Sequence, residues 1–214
     1  MAEHDVSEWV LATGNPGKLA EMQSLLTPLG VTLRPQNDFF SEQAEETGLS
    51  FIENALIKAR FAAEKTGLPA MADDSGLEVA ALAGEPGIFS ARFGEGFRGQ
   101  PASDAVNNEK LLDALSEVPP EKRQACYYCA MVWVRHARDP VPRVGLGQWC
   151  GEVLTHPRGD GGFGYDPLIW LPDQQCSVAE LSKASKNRLS HRAQATQALL
   201  KQLASHPDTT DSNI

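Results

Sequence analysis

Trp9-Val10-Leu11-Ala12-Thr13-Gly14-Asn15-Pro16-Gly17-Lys18 decides the fold class of this chain. Four apolar residues break into a turn rich in Gly, Asn and Pro, and beyond Lys18 the apolar residues Leu19, Met22, Leu25 and Leu26 recur until Pro28 and Gly30 stop the pattern. A short apolar run that ends in turn residues reads as a strand, and apolar residues recurring at helical spacing read as an amphipathic helix. The opening is therefore strand, loop, helix, the unit from which α/β folds are built.

Outward from that unit, Val31 to Arg34 reads as the next strand, and Gln36 to Gly48 is polar, acidic and irregular. Ser50 followed by Glu53 forms a capping box that should start a long helix. Ile52, Ala55, Leu56, Ala59 and Ala63 supply its buried stripe, with Glu53, Lys58, Arg60 and Glu64 mostly off it, and Gly67 and Pro69 end it. Ala70-Met71-Ala72 reads as a short buried strand that delivers Asp73-Asp74-Ser75-Gly76 at its end. Gly84 to Gly87 marks a loop, Asp104 to Leu115 a helix, and Pro119-Pro120 a break before a strand over Cys126 to Arg135. A further strand over Val144 to Leu154, interrupted at Gly151, should form a hairpin with it across Asp139-Pro140. The glycine-dense loop Gly159 to Tyr165 follows, then a short strand near Leu168 to Leu171. Helices begin at Val178 and run from Ser190 to Leu203, with Ala193, Ala195, Leu199, Leu200 and Leu203 available for burial. The polar tail from Ser205 should fray.

With 214 residues, 42% of them hydrophobic and 22% charged, the chain fits one large domain or one domain with two lobes. The net charge of -9 argues against a general nucleic-acid binder, whose affinity comes from cations displacing counterions. No apolar run approaches a membrane span, and the N-terminus lacks the pattern of a signal peptide, so the expectation is a cytoplasmic protein with no membrane or nucleic-acid partner. The four cysteines, Cys126, Cys129, Cys150 and Cys176, are few and irregularly spaced, in keeping with a reducing compartment. Cys126 and Cys129, three apart on a strand, should face opposite ways, which favours buried structural cysteines over a metal pair.

Four constellations carry candidate chemistry. Thr13, Gly14, Asn15, Pro16, Gly17 and Lys18 bring backbone amides, a helix N-terminus and one cation together, a phosphate cradle unless it is an ordinary connecting turn. The pairs Glu45-Glu46 and Asp73-Asp74 offer oxygen ligands to a hard cation such as magnesium, the alternative for the first pair being a solvated loop. Two adjacent acids after a buried strand are expensive unless solvated, paired or ligating. In Gly159 to Asp166, the rings of Phe163 and Tyr165 face one side if the stretch is extended, a platform for a nucleobase beside Asp166; otherwise they join the core. Lys183, Lys186, Arg188, His191 and Arg192 place cations where they oppose a helix dipole, suggesting an anion or a polar base rather than a solvated face.

Taken together these segments resemble the inosine/xanthosine triphosphate pyrophosphatase family from about Trp9 to Leu203. The resemblance rests on TGNPGK at Thr13, EETGLSFIENALIKA at Glu45, ADDSG at Ala72, GEPGIFSARF at Gly84, GGFGYDP at Gly161 and SHR at Ser190. It implies a mixed α/β fold with a long central sheet, flanking helices and two lobes around a substrate cleft, paired as a homodimer. On that reading residues 1–8 are an N-terminal extension, 9–204 the domain and 205–214 a tail. Implied substrate contacts are Thr13 to Lys18, Ser75, Phe163, Gly164, Tyr165, Asp166, Lys186, His191 and Arg192. Asp74 is the implied catalytic acid and binds Mg2+ together with Glu45 or Glu46. The implied reaction converts a deaminated purine nucleoside triphosphate to its monophosphate and pyrophosphate. A pyrophosphatase for modified pyrimidine nucleotides and a non-catalytic nucleotide sensor are the competing readings.

Overall fold

A computed structural model describes residues 7–13, 19–20, 22–23 and 26–205. The expected cradle residues Gly14, Asn15, Pro16, Gly17 and Lys18 lie outside them, as do Leu25 and most of both termini. The chain forms a seven-stranded sheet in the order β2-β1-β3-β4-β5-β6-β7. Its strands are β1 (Ser7–Leu11), β2 (Val31–Pro35), β3 (Ala70–Val79), β4 (Gln124–Val134), β5 (Arg143–Val153), β6 (Ile169–Leu171) and β7 (Cys176–Ser177). The helices described in full are α1 (Phe51–Thr66), α2 (Asp104–Ala114), α3 (Lys183–Leu189) and α4 (His191–Ser205). β1 pairs in parallel with β2 and β3, whereas β5/β6 and β6/β7 are antiparallel, so the sheet is mixed. No helix among the described residues is long and apolar enough to cross a membrane.

Two compact units make up the chain. One comprises Met1–Asp74, Ala130–Leu146 and Ala195–Ile214; the other comprises Ser75–Cys129 and Gly147–Gln194.

The first unit is built around α1. Ser50 Oγ accepts from Glu53 N, the Glu53 carboxylate accepts in return from Ser50 Oγ and Leu49 N, and Gly67 closes the far end in the left-handed conformation. Ala55, Ala59, Ala62 and Ala63 are buried against Val10, Ala70, Ala72, Ala130, Val132 and Val134. The small side chains let the helix lie close to the strands. The buried face is turned slightly from the expected stripe: Ile52 is exposed, and Asn54 takes a fully buried place.

In the second unit Ser103 caps α2 by accepting from Val106 N, and Leu111 and Leu115 are fully buried in a core with Leu77, Val79, Tyr127, Leu168 and Ile169. Each such leucine contributes about 1.5–3 kcal/mol over an exposed one. Arg123 receives the end of that helix, donating to Leu115 O at 2.7 Å and Val118 O at 2.8 Å.

Several expectations are corrected. Asp73-Asp74-Ser75-Gly76 does not end a short strand but lies within β3, which continues to Val79. Ser-Gly reads as a turn in isolation, yet β3 lies between β1 and β4 in the sheet and stays extended. β5 likewise runs through Gly151 without interruption. The segment from Val178 is a single 3-10 turn rather than the start of a helix. Cys126 and Cys150 are not buried thiols: they form a disulfide across β4 and β5, with Cα atoms 4.0 Å apart, while Cys129 is buried and Cys176 half-buried. The expected hairpin supplies the reason, because its register sets outward-facing 126 opposite 150 and 128 opposite 148. The bond removes the support that cysteine spacing lent to a reducing compartment.

Candidate active site

In the first unit the candidate site starts from α1. Asn54 and Lys58 stand four residues apart and share one face of the helix. Lys58 Nζ donates to Asp74 Oδ1 at 2.8 Å and to Glu46 Oε1 at 3.0 Å, and the three side chains are 13–30% exposed. Burial disfavours the Lys58 ammonium, but the Asp74 and Glu46 carboxylates outweigh it and raise its pKa. The Asp74 pKa is raised too: burial dominates, Lys58 opposes it, and Glu46 adds repulsion. An aspartate so placed is a better proton acceptor than a free one. Its neighbour Asp73 is buried and, by strand alternation, points to the other face.

Among the described residues no group of three or more His, Cys, Asp or Glu side chains is placed to hold a metal ion. Glu46 and Asp74 nevertheless converge on one cation, the Lys58 ammonium. Two carboxylates are a usual protein share of a magnesium site whose remaining ligands are phosphate and water. The residues therefore fit that ion. Glu45 is exposed at the surface beside Glu46, its carbonyl accepting from Thr47 N at 3.1 Å.

In the second unit the chemistry gathers around Asp166, whose side chain is 5% exposed. Its carboxylate accepts from Phe163 N at 2.9 Å, from Tyr127 Oη at 3.2 Å and from Lys186 Nζ. Gly162 makes this possible, because a Cβ there would lie 2.0 Å from Asp166 Oδ2, and its φ of +75° is left-handed. α2 fixes the same loop: Gly164 N donates to Asp104 Oδ2 at 2.6 Å, and Asn108 Nδ2 donates to Gly164 O at 2.9 Å.

The loop is thus not extended, and its two rings part. Phe163 is 61% exposed, with Lys186 Nζ 4.3 Å from its ring centroid. Tyr165 turns into the core and donates to Ser90 O at 2.8 Å. The basic cluster also divides: Lys183 and Arg188 are exposed, while Lys186, His191 and Arg192 face inward. The buried His191 ring stacks on Tyr127 at 4.9 Å and 11°. Arg192 donates to Ser75 Oγ at 3.3 Å. A flat exposed ring, a lysine, an imidazole and a guanidinium form a donor-rich set suited to a planar base with keto oxygens.

The expected residues thus form two groups, Asp74 with Glu46 in one unit and Ser75, Phe163, Asp166, Lys186, His191 and Arg192 in the other. Thr13 is described, half-buried, with its amide donating to Leu11 O. Sequence reasoning missed Lys58, Asn54, Tyr127, Asp104 and Asn108. The four-residue spacing of Asn54 and Lys58, two polar residues beside an alanine stripe, was the available signal for the first two. Nothing local marks Tyr127, whose contacts are 39 and 64 residues away in sequence.

Comparison with known proteins adds an independent finding. The model of the Ham1 family matches residues 9–202. The dITP/XTP pyrophosphatase of Idiomarina loihiensis is 50% identical over 91% of this chain and 96% of its own, and that of Vibrio cholerae 52% identical over 90% and 94%. Among solved structures, a HAM1 protein from Coxiella burnetii superposes with a TM-score of 0.87 at 46% identity, covering 93% of this chain and 99% of that one. The Staphylococcus aureus Ham1 protein gives 0.84 at 35% identity, covering 94% and 100%. These neighbours bear out the mixed α/β class with its central sheet and flanking helices.

Proposed function

Because the chain belongs to the Ham1 family, we propose that it is a dITP/XTP pyrophosphatase. It hydrolyses deaminated purine nucleoside triphosphates between the α- and β-phosphates, giving the nucleoside monophosphate and pyrophosphate. This removes miscoding nucleotides from the pool before they enter DNA or RNA. The observation that carries the reading is the convergence of Asp74 and Glu46 on a single cation in a fold shared with the family.

Asp74 accepts the proton of the attacking water, a role open to a carboxylate held in place by Lys58. Asp74 with Glu45 or Glu46 would hold magnesium, which would supply positive charge to offset that of the triphosphate. Thr13 to Lys18 bind the triphosphate, with Lys18 and Lys186 offsetting its charge. Phe163 stacks on the base while Ser75 and residues 164–166 line its surroundings. His191 and Arg192 donate to the keto oxygen of hypoxanthine or xanthine. Adenine presents an amino donor there, and two donors facing each other without water disfavour it. The same reading has the enzyme working in the cytoplasm as a homodimer, in keeping with the family resemblance.

The test is product identification with magnesium and a panel of nucleoside triphosphates. Inosine, deoxyinosine and xanthosine triphosphates should yield monophosphate and pyrophosphate. Release of orthophosphate, or no turnover of any triphosphate, would overturn the reading.

A further inference from the structure

Asn54 is an expensive residue in its position. It is fully buried on α1, where the other buried residues are alanines. Its Oδ1 accepts from Gly48 N at 2.9 Å, which fixes the orientation of the amide. Its Nδ2 is buried without a hydrogen-bond partner among the described residues, on the helix face that also carries Lys58, whose ammonium binds Asp74 at 2.8 Å. An unsatisfied buried donor costs about 1–3 kcal/mol. Helix capping does not account for that cost, because Ser50 and Glu53 already cap α1.

Gly48 supplies the second half of the geometry. A Cβ there would lie 2.5 Å from Glu53 Cβ, 2.7 Å from Asn54 Oδ1 and 3.0 Å from Asn54 N. The loop backbone is therefore pressed onto the first turn of α1, two residues beyond Glu46. One turn further along the helix, Lys58 binds both Glu46 and Asp74.

We propose that Asn54 is a positioning residue that clamps the 45–48 loop through Gly48 and steadies the Asp74 carboxyl through its amide nitrogen, setting the spacing between Asp74 and the Glu45–Glu46 pair. The proposal rests on the pyrophosphatase reading for what those carboxylates do; the clamp itself stands on geometry. Lys58 neutralises the carboxylates but can shift with them, whereas a fully buried amide held at its oxygen by Gly48 N cannot. Asn54 therefore acts on the rate and on the use of magnesium, and only weakly on nucleotide affinity.

The experiment uses the full chain with Asn54→Ala and Asn54→Asp, and both variants are checked for folding by far-ultraviolet circular dichroism. In Asn54→Ala, exchange of the Gly48 amide should accelerate at least about ten-fold. kcat for inosine triphosphate should fall at least about ten-fold with KM within about three-fold, and half-maximal activity should need several times more magnesium. Asn54→Asp keeps the acceptor for Gly48 but loses the donor towards Asp74, so it should retain Gly48 protection while kcat still falls about ten-fold. If Asn54→Ala does not fold, Asn54→Asp carries the test alone. A folded variant with wild-type kcat and magnesium dependence would overturn the proposal. Should the wild type turn over no triphosphate, the functional reading fails by itself, and Gly48 exchange in Asn54→Ala still decides the clamp.

Discussion

Replacing Lys58 by Met keeps the length of the side chain and removes the one charge that Asp74 and Glu46 share. Each charge-assisted hydrogen bond is worth about 1.5–3 kcal/mol, and with side chains 13–30% exposed the lower end applies. Two bonds to one ammonium are not additive, so the variant should lose about 2–3 kcal/mol. In a chain of 214 residues that lowers Tm by about 5–10 °C. The loss should also depend on pH. Asp74 has a folded pKa raised above its ordinary 3.8, so the native state holds that proton more tightly than the unfolded chain. Stability from this group is therefore present at low pH and lost as pH rises through the folded pKa. Without Lys58 the pKa rises further and the loss extends to higher pH. Thermal melts in a chelating buffer should show the full deficit near pH 8 and a shrinking one towards about pH 4. A deficit below about 1 °C, or one equal at both ends, would refute the reasoning.

Asp74→Asn should fold normally and lose about 10³-fold in kcat, and near-normal turnover would remove Asp74 from the chemistry. Arg192→Ala should lose about 10–100-fold in kcat/KM with inosine triphosphate and far less with a triphosphate whose base lacks a keto group. Equal losses across bases would assign Arg192 to the phosphates. Thiol titration of the unfolded, unreduced protein should find two reactive cysteines, Cys129 and Cys176, whereas four would contradict the Cys126–Cys150 bond.

Local signals carried much of the architecture. The Ser50 N-cap, the Gly67 stop, the helix from Asp104 and the hairpin across Asp139 are all set by residues close in sequence. That hairpin turn is tied by Asp139, whose buried carboxylate accepts from the backbone and guanidinium of Arg135 and from Val141 N, and whose pKa is strongly lowered by the Arg135 contact. What escaped was set by distant partners. β3 passes through Ser75-Gly76 in a central place in the sheet, and Cys150 meets Cys126 through a register that no spacing rule reveals. Phe163 and Tyr165 part because Asp166 curls beneath a left-handed Gly162, which alternation along an extended strand cannot anticipate. In the site, the acids and the aromatic-basic set were legible as residue types. Lys58 and Asn54 were not, because a half-buried lysine and a buried asparagine on a helix look like surface until the loop that packs over them is placed.

The proposed function requires a site that accepts a deaminated purine nucleoside triphosphate and releases pyrophosphate from it. The most direct measurement is kcat/KM for inosine triphosphate and adenosine triphosphate side by side with magnesium, with pyrophosphate as the detected product. The inosine nucleotide should be preferred by at least about 10²-fold, since donors fixed on a keto oxygen are opposed by an amino group. Comparable values for the two nucleotides would contradict it.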